Sequence, residues 1–254
     1  MRAFARRWTP SSLRGRVRQL REQRRNRHRT AEEVFTEIYE QNRWGGRPGE
    51  FYSGADSGDP PSVQAWVSAV TESASREGFL GCAFVDLGCG DFRVARHLLP
   101  LCSRYVGVDL VASLIDRNER EFGNETTRFT RLDIVSDALP EGDVCFVRHV
   151  LQHLSNEQIA IILGKLASYR WVFITEHHPV DDDRIRPNLD RVHGGYTRVC
   201  QNSGVYLTEP PFSLPKDTLS LALEAPEPGE DAGIARTYLY EPRGTRFARS
   251  PSAG

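Results

Sequence analysis

Three aspartates in the first half of the chain, Asp86, Asp109 and Asp133, each stand at the end of a predicted strand. The first two strands are short apolar runs that begin at Ala83 and Tyr105, and the third strand candidate begins at Thr130. Such runs indicate buried parallel strands, whose carboxyl ends meet at one edge of a sheet. A carboxylate at this edge accepts hydrogen bonds from a ligand, although an acid here is also a common helix cap. Asp109 stands nineteen residues after Gly90, at about the distance where an acid of dinucleotide-binding folds accepts hydrogen bonds from ribose hydroxyls.

A turn with two glycines, Gly88 and Gly90, follows the first of these strands. Glycines let a ligand approach the backbone closely, and a helix that begins here offers free N–H groups. Such a helix is predicted by apolar residues at Val94, Leu98 and Leu101. Arg93 stands where a dinucleotide-binding turn has its third glycine. The turn is therefore typical of nucleotide binding, but a dinucleotide pyrophosphate is disfavoured.

His149 follows the fourth predicted strand, 143–147. Side chains just past such a strand meet the ligand crevice, and an imidazole near neutral pH is suited to general base catalysis. His149 is therefore the first candidate for a catalytic base; the alternative is a hydrogen bond within its own loop. Ser155 and Gln158 form a capping-box pattern, which predicts a helix over 156–168.

The fifth predicted strand, 171–175, continues into Glu176-His177-His178 and then Asp181-Asp182-Asp183. Glu176, His177 and His178 are further candidate catalytic residues, and the whole group is a candidate binding site for a divalent cation. Neighbouring residues of an extended chain point to opposite faces, so both histidines are not expected to bind one ion. No metal site is therefore predicted, and a divalent cation remains an alternative that is not favoured.

The chain as a whole alternates helices and strands, which predicts an α/β fold with a Rossmann-like sheet and helices on both faces. Amphipathic stretches predict helices at 62–78 and 111–121. Later strand candidates lie at 205–208, 219–223 and 237–240, and a loose hairpin insertion is expected at 225–233. The predicted units are a basic arm, a helix with a lid over the cofactor, the ligand-binding domain and a disordered tail. Their ranges are 1–30, 31–61, 62–241 and 242–254.

The lid segment combines an apolar helical stripe with a loop rich in glycine, serine and aromatic residues. Long ordered loops are usually functional. Trp44 and Tyr52 are candidate walls of the cofactor site, and Ser53 is a candidate contact. The alternative is a capping loop whose aromatic residues pack on the body of the domain.

The net charge of −1 conceals an asymmetry between the arm and the rest of the chain. Residues 1–30 contain eleven arginines and one acid, so the remainder carries 22 basic and 33 acidic residues, a net charge of −11. A solvated, partly disordered helix is the plainer interpretation of the arm. Contact with nucleic acid, a membrane surface or an acidic subunit, and a transit peptide, are alternatives.

Other classes are disfavoured by what the sequence lacks. No apolar run reaches the roughly 18 residues of a membrane span, and no apolar signal-peptide core lies near Met1. The five cysteines are odd in number and show no metal-ligand spacing, which favours reduced thiols. The expectation is a cytoplasmic protein.

Several motifs together resemble a known family. The segment Asp86-Leu-Gly88-Cys-Gly90 is similar to the D-x-G-x-G loop of class I S-adenosylmethionine (SAM) methyltransferases. Over residues 33–223 the chain also resembles a poorly characterised bacterial family of these enzymes that acts on small molecules or glycans. The motifs are Phe35-Thr-Glu-Ile38-Tyr39, Trp44-Gly45, Ser53-Gly54, Cys89-Gly90-Asp91-Phe92, Val150-Leu-Gln-His153-Leu-Ser155 and Pro210-Pro211-Phe212-Ser-Leu-Pro215.

The resemblance implies a seven-stranded, mostly parallel sheet with a reversed last strand and SAM as the cofactor. Asp86, Gly88 and Gly90 would hold its methionine end, Asp109 the ribose, and Asp133 with Ile134 the adenine. The same site would include Cys89, Leu110 and Arg148, with Trp44 and Ser53 from the lid. The sequence departs from the family at His149, where an acid is expected, and at Glu176-His177-His178, where the family has a threonine-rich strand end.

These departures leave the acceptor open. Several polar bases and the lack of a wide aromatic cage favour O-methylation of a small polyhydroxylated acceptor, such as a sugar or natural product. N-methylation is an alternative, as is a protein that modifies or binds nucleic acid through the arginine-rich arm, or a scaffold without catalysis. A homo-oligomer is a further expectation.

Overall fold

The computed structural model describes residues 10–54, 58–180, 183–227 and 232–242. Its strands are β1 Ala83–Leu87, β2 Arg104–Asp109, β3 Thr127–Arg131, β4 Val144–Arg148, β5 Trp171–His178, β6 Leu219–Glu227 and β7 Gly233–Tyr240. They form one sheet in the order β3-β2-β1-β4-β5-β7-β6. The first five strands pair in parallel, and β7 is antiparallel to both β5 and β6. The predicted mostly parallel sheet with a reversed last strand is confirmed.

The α-helices of the described residues are α1 Pro10–Asn26, α2 Ala31–Glu40, α3 Pro60–Glu77, α4 Ala112–Phe122 and α5 Asn156–Lys165. Their ends follow from local side-chain chemistry. Asp59 caps α3 by accepting the Ser62 N–H, and Ser155 forms the predicted capping box with Gln158 at the start of α5. Each such cap satisfies a backbone N–H that has no partner inside the helix, which stabilises the helix by about 1 kcal/mol.

The two faces of the sheet have separate cores, because alternate residues of a strand point to opposite sides. On one face Phe84, Phe146 and Phe173 pack against α3. On the other face Val85 and Val147 pack with residues of α5. All of these side chains are buried, and each contributes about 1.5–3 kcal/mol by leaving water.

The helix predicted after the glycine turn is a 3₁₀-helix, Ala95–Leu101, and not an α-helix. Pro100 lies inside it and has no N–H to contribute to an α-helical hydrogen-bond ladder. Every backbone N–H from Gly88 to Arg93 also has an acceptor within the protein. The expectation of free N–H groups at this turn was therefore wrong.

The fifth strand is longer than predicted, because β7 pairs along its whole final part. Glu176 pairs with Arg236, His177 with Ala235 and His178 with Ile234, so these three residues belong to the strand. Both ends of the predicted loose insertion at 225–233 are likewise strand, since β6 continues to Glu227 and β7 begins at Gly233. Residues 228–231 of that segment lie outside the described residues.

The segment 205–208 was predicted to be a strand, and this was wrong. Val205 and Leu207 are buried as their apolar character requires, but the backbone turns here. The side chain of Asn188 takes the place of a neighbouring strand: it accepts the Tyr206 N–H and donates to the carbonyl oxygens of Tyr206, Glu209 and Pro210. One buried amide therefore satisfies backbone groups that a sheet would otherwise pair.

The second half of the basic arm packs on the body of the protein. In α1, Gln19, Glu22 and Asn26 are buried, while the arginines at 18, 21, 24 and 25 are exposed, as is Arg27 just after the helix. Residues 1–9 and 243–254, which include nearly all of the predicted tail, lie outside the described residues. Among the described helices, none combines the length and apolar character of a bilayer span.

Candidate active site

A cavity of about 480 Å³ lies at the carboxyl ends of β1, β2 and β4. The chain order of the strands reverses between β1 and β4, which is where α/β sheets bind ligands. The cavity has the size of a typical small-molecule site. All eleven residues predicted for the cofactor site line it, and of the four candidate catalytic residues His149 and His177 do so. The cofactor residues are Trp44, Ser53, Asp86, Gly88, Cys89, Gly90, Asp109, Leu110, Asp133, Ile134 and Arg148.

Asp109 connects the glycine turn to the end of β2. One carboxylate oxygen accepts the Gly90 N–H at 3.2 Å and the other accepts the Val111 N–H at 3.1 Å. Burial raises the pKa of Asp109, and the two backbone N–H groups oppose this shift. Asp109 therefore holds the turn that leads into α4 and also presents its carboxylate to the cavity. It does not cap the helix itself, which has no side-chain cap.

Asp86 lies at the end of β1, and its carboxylate accepts a hydrogen bond from the Tyr105 hydroxyl at 2.7 Å. Burial raises its pKa to about 6, whereas the Tyr105 hydrogen bond and the charge of Arg148 lower it. The backbone N–H groups of the adjacent glycine turn already have hydrogen-bond acceptors within the protein. They are therefore not free to bind an anionic group of a ligand at this end of the cavity. A buried carboxylate in such surroundings suits a cationic ligand group, such as an ammonium.

Asp133 lies two residues beyond β3 and accepts the Val135 N–H at 2.9 Å. It therefore caps the turn that follows, as the plainer interpretation of a strand-end acid suggests. Leu132, Ile134 and Val135 line the cavity beside it. An apolar wall with a carboxylate at its edge suits a flat aromatic ring that carries an amino group.

The lid segment is anchored at two points. The Ser53 hydroxyl accepts the Asp91 N–H at 2.9 Å and lies 2.9 Å from the Tyr39 hydroxyl. The Trp44 indole N–H donates to the carbonyl oxygen of Gly195 at 3.0 Å, which places its ring in the cavity wall. Tyr52, the other candidate wall, instead packs against the Arg93 guanidinium at 4.2 Å.

The helix α1 supports the opposite wall through one buried carboxylate. Glu22 binds Arg43 at 2.5 Å and accepts the N–H groups of Gly195 and Tyr196 at 3.3 and 3.4 Å. Arg43, Gly195 and Tyr196 all line the cavity. The basic arm therefore contributes to the shape of the site, although none of its side chains that the structure describes, 17–30, faces the cavity.

We expect Glu22→Gln to destabilise the fold by about 2 kcal/mol, because a charge-assisted hydrogen bond is lost and Arg43 stays half-buried without its partner. The same change should weaken binding of S-adenosylhomocysteine (SAH) several-fold by loosening this wall. Thermal unfolding and calorimetric titration with SAH measure the two effects. Glu40→Gln, at an exposed position of α2, is the matched control. Unchanged values for Glu22→Gln would show that α1 does not support the site.

The first candidate base, His149, follows β4 directly and has a backbone φ of 57°. This left-handed conformation is unusual for a residue with a side chain, and it turns the chain sharply at the cavity. Burial and the neighbouring charge of Arg148 hold the pKa of His149 well below its usual value. The ring is consequently neutral near pH 7 and able to accept a proton. Its Nε2 atom lies 3.2 Å from Oε1 of Glu227.

The three polar residues at the end of β5 separate onto two faces. His177 points to the cavity, and its Nδ1 atom lies 3.3 Å from Oε2 of Glu227. Glu176 points to the other face, where its two oxygens accept the N–H groups of Leu151 and Gln152, each at 2.9 Å. His178 lies on that face too, with its ring 4.8 Å from the ring of Tyr206.

No group of three or more histidine, cysteine, aspartate or glutamate residues in the described ranges has the arrangement of a metal site. Asp181 and Asp182, which belong to the candidate cation group of the sequence, lie outside those ranges. All five cysteines are unpaired.

Glu227 is the site residue that the sequence did not reveal. It lies in a stretch rich in proline, glycine and acid, which predicted a loose insertion and no strand. Its side chain is 1% exposed and lines the cavity between the two histidines. Only the pairing of β6 with β7 and of β7 with β5 brings it there, so no local pattern would have identified it.

The strand order, the glycine turn and the acidic strand ends define a class: the chain carries a class I SAM-dependent methyltransferase domain. Residues 85–164 match a family described as "Methyltransferase domain". This range contains the glycine turn, all three acids and His149, and the predicted class is confirmed. No curated protein sequence matches the chain.

Several solved methyltransferase structures share the fold. The N-methyltransferase NodS from Bradyrhizobium japonicum WM9, in complex with SAH, is 14% identical, with coverage of 72% of this chain and 88% of NodS and a TM-score of 0.50. The magnesium protoporphyrin IX methyltransferase ChlM from Synechocystis PCC 6803, with bound SAM, is also 14% identical, covering 85% of this chain and all of ChlM at a TM-score of 0.50. The DhpI–SAH complex is 17% identical, covering 85% and 96% at a TM-score of 0.50. At these identities the likeness is one of fold.

The residues of the cavity fit SAM as the cofactor of this class. The end beside Asp86 lacks free N–H donors and has a buried carboxylate, which suits an ammonium better than a phosphate. The middle has the Asp109 carboxylate, and the far end has an apolar wall around Ile134. Cation-accepting, hydroxyl-accepting and apolar sections follow one another in the order of an amino acid, a ribose and a base.

Proposed function

We propose that this protein transfers the methyl group of SAM to a hydroxyl of a small polyhydroxylated acceptor, such as a sugar or a natural product. The observation that supports this proposal is the position of His149: a neutral imidazole on the wall of the cavity, directly after the strand whose end lies beside the cofactor residues. A base of this kind is what a hydroxyl acceptor needs, since its proton must leave as the new bond forms.

The proposed cofactor contacts follow the order of the cavity wall. Asp86, Gly88 and Gly90 hold the methionine end, with Cys89 and Arg148 beside them. Asp109 accepts from the ribose hydroxyls, next to Leu110. Asp133 and Ile134 hold the adenine. From the lid, Trp44 provides a wall and Ser53 holds the glycine turn in place through Asp91.

When bound, SAM supplies a methyl group on a sulfonium, which is already activated for transfer. The protein's contribution is then to align the acceptor oxygen with that methyl group and to take up the hydroxyl proton. His149 does the second of these. The guanidinium of Arg148 stacks over the Trp66 ring, 5.4 Å from its centre. Both residues line the cavity on the same side and help exclude water.

A small acceptor is favoured because several separate segments close over the cavity. The lid, α2 and residues 195–197 all line it, and Glu22 and Trp44 tie these segments together. A polymer such as nucleic acid would need an open groove with basic side chains along it. The exposed arginines of α1 lie on the surface, and none of them lines the cavity.

The proposal is tested by incubating the protein with labelled SAM and two acceptor panels, one of sugars and glycosides and one of amines. We expect transfer to hydroxyls, and loss of about 10²-fold in kcat for His149→Gln with an unchanged KM for SAM. Because the pKa of His149 is lowered, its basic form dominates throughout the neutral range. The rate should therefore be flat around pH 7 and fall only at acidic pH.

His97→Gln is the matched control, because His97 is exposed in the 3₁₀-helix and does not line the cavity. If methyl transfer occurs only to amines, the proposal of O-methylation is replaced by one of N-methylation. If His149→Gln and the wild type have equal rates, a group other than His149 takes up the hydroxyl proton. Repeating the assay with a chelator shows whether a divalent cation is needed.

A further inference from the structure

Four polar side chains from three strands meet at one place on the cavity wall: Arg148 and His149 at the end of β4, His177 in β5 and Glu227 at the end of β6. Glu227 lies between the two histidines, with one oxygen 3.2 Å from Nε2 of His149 and the other 3.3 Å from Nδ1 of His177. The side chains of His149, His177 and Glu227 are 8%, 4% and 1% exposed, so water contributes little to their pairing.

The carboxylate determines which nitrogen of each ring carries the proton. An ionised carboxylate only accepts hydrogen bonds, whereas a neutral imidazole has one N–H and one bare nitrogen. Neither contact has the angles of a hydrogen bond, so an ionised Glu227 acts on both rings through its charge. A negative charge at this distance repels a bare ring nitrogen and attracts an N–H group. It therefore favours hydrogen on Nε2 of His149 and on Nδ1 of His177, which are opposite tautomers, and leaves Nδ1 of His149 as the proton-accepting atom.

The charges around the group support this arrangement. Arg148 faces both Glu227 and Asp86, and their attraction opposes the effect of burial on its pKa. Burial lowers the pKa of His177 to about 4, and burial with the charge of Arg148 lowers that of His149. His153 and His178 also face His149 and act in the same direction. Both rings that contact Glu227 are therefore neutral near pH 7.

A glycine in β7 makes the contact possible. Gly233 pairs with Glu227, and the neighbouring strand on its other side is β5. A Cβ atom at position 233 would lie 2.4 Å from Nε2 of His177 and 2.2 Å from the carbonyl oxygen of His178. Only a residue without a side chain lets the His177 ring and Glu227 approach each other across β7.

We propose that Glu227 is a positioning residue, held in place by its contact with His177. It fixes His149 in the Nε2–H tautomer and directs Nδ1 of His149 to the acceptor. This inference rests on the proposed O-methylation. As the acceptor oxygen bonds to the methyl carbon, the electrons of the carbon–sulfur bond pass to sulfur and the hydroxyl proton passes to Nδ1 of His149. The sulfonium charge is replaced by an imidazolium charge, which lies beside the Glu227 carboxylate.

The test is histidine tautomer state by ¹⁵N NMR of the whole chain, together with steady-state kinetics. His149→Gln and His177→Gln assign the two signals among the seven histidines. We expect Nε2–H for His149 and Nδ1–H for His177 at pH 7. In Glu227→Gln the amide has one acceptor and one donor, so one of the rings should change tautomer. The pKa of His149 should fall further, because the imidazolium loses its counter-charge.

Glu227→Gln should also lower kcat about 30-fold and leave the KM for SAM unchanged, as expected for a group that acts only on the proton transfer. Glu224→Gln, a more exposed position of the same strand, is the control. Gly233→Ala should have the defect of Glu227→Gln, and Gly164→Ala, whose added methyl meets nothing within 4 Å, should not.

Nδ1–H on His149 in the wild type, or a Glu227→Gln variant with wild-type kcat, would overturn the proposal. If the wild type methylates only amines, the O-methylation proposal fails, and the tautomers of the two rings still decide whether Glu227 positions His149.

Discussion

Asp109→Ala is expected to weaken binding of SAM and SAH by more than about 10²-fold. The carboxylate faces the cavity at the end of β2, and two charge-assisted hydrogen bonds to ribose hydroxyls would contribute about 3 kcal/mol. The same oxygens hold the N–H groups of Gly90 and Val111, so the variant also leaves the glycine turn without its anchor. The affinity should therefore fall by more than the ribose contact alone would predict.

Calorimetric titration with SAH measures this effect. Asp109→Asn keeps one acceptor oxygen and should give an intermediate affinity. Asp116→Ala removes an exposed carboxylate from α4, close in sequence but away from the cavity, and should bind SAH like the wild type. Equal affinity of Asp109→Ala and the wild type would rule out the proposed position of the ribose.

Glu176→Ala should lower the free energy of unfolding by about 3 kcal/mol. It removes both acceptors of the buried N–H groups of Leu151 and Gln152, and each unsatisfied group costs about 1–3 kcal/mol. These residues begin the 3₁₀-helix Leu151–His153, which directly follows His149 and Val150. Urea unfolding measures the loss, with Glu157→Ala, exposed in the first turn of α5, as control. A loss below about 1 kcal/mol would contradict this account of Glu176.

The stability that Glu176 contributes should also depend on pH. Burial raises the pKa of Glu176 from 4.5 to about 8. The hydrogen bonds from the N–H groups of Leu151 and Gln152 act in the opposite direction and lower it. The folded protein therefore holds this proton more tightly than the unfolded chain does. The contribution is complete below pH 4.5 and is lost as the pH rises through about 8. Measured against Glu176→Gln, which does not ionise, the wild type should lose relative stability between about pH 5 and pH 9. A constant difference would mean that the pKa is not raised.

Local patterns were enough to predict the residues of the proposed cofactor site, all of which line the cavity. The acids at the ends of β1 and β2 directly follow apolar runs, and the run before Asp133 begins within β3. Parallel strands bring such residues to one edge of the sheet. Short motifs likewise predicted the Ser155–Gln158 capping box. In each case the partners are near in sequence, or their position is determined by the periodicity of a single element.

The part of the site proposed to transfer the proton depended on pairings between distant segments. An extended chain already predicted that His177 and His178 face apart, but only the pairing with β7 shows that Glu176 and both histidines belong to β5. Asn188 replaced a strand partner for residues 206–210, and Glu22 of the basic arm reached the cavity wall.

The sequence by itself therefore determined the fold class, the cofactor edge of the sheet and the position of His149. The tertiary structure alone decided which acid lies beside that histidine. Glu227 is 78 residues away from it along the chain. The two meet because β6 pairs with β7, β7 pairs with β5, and Gly233 leaves space between them. The distance between Glu227 and His149 depends on the hydrogen-bond registers of three strands together. It therefore cannot be predicted from the sequence of any one segment.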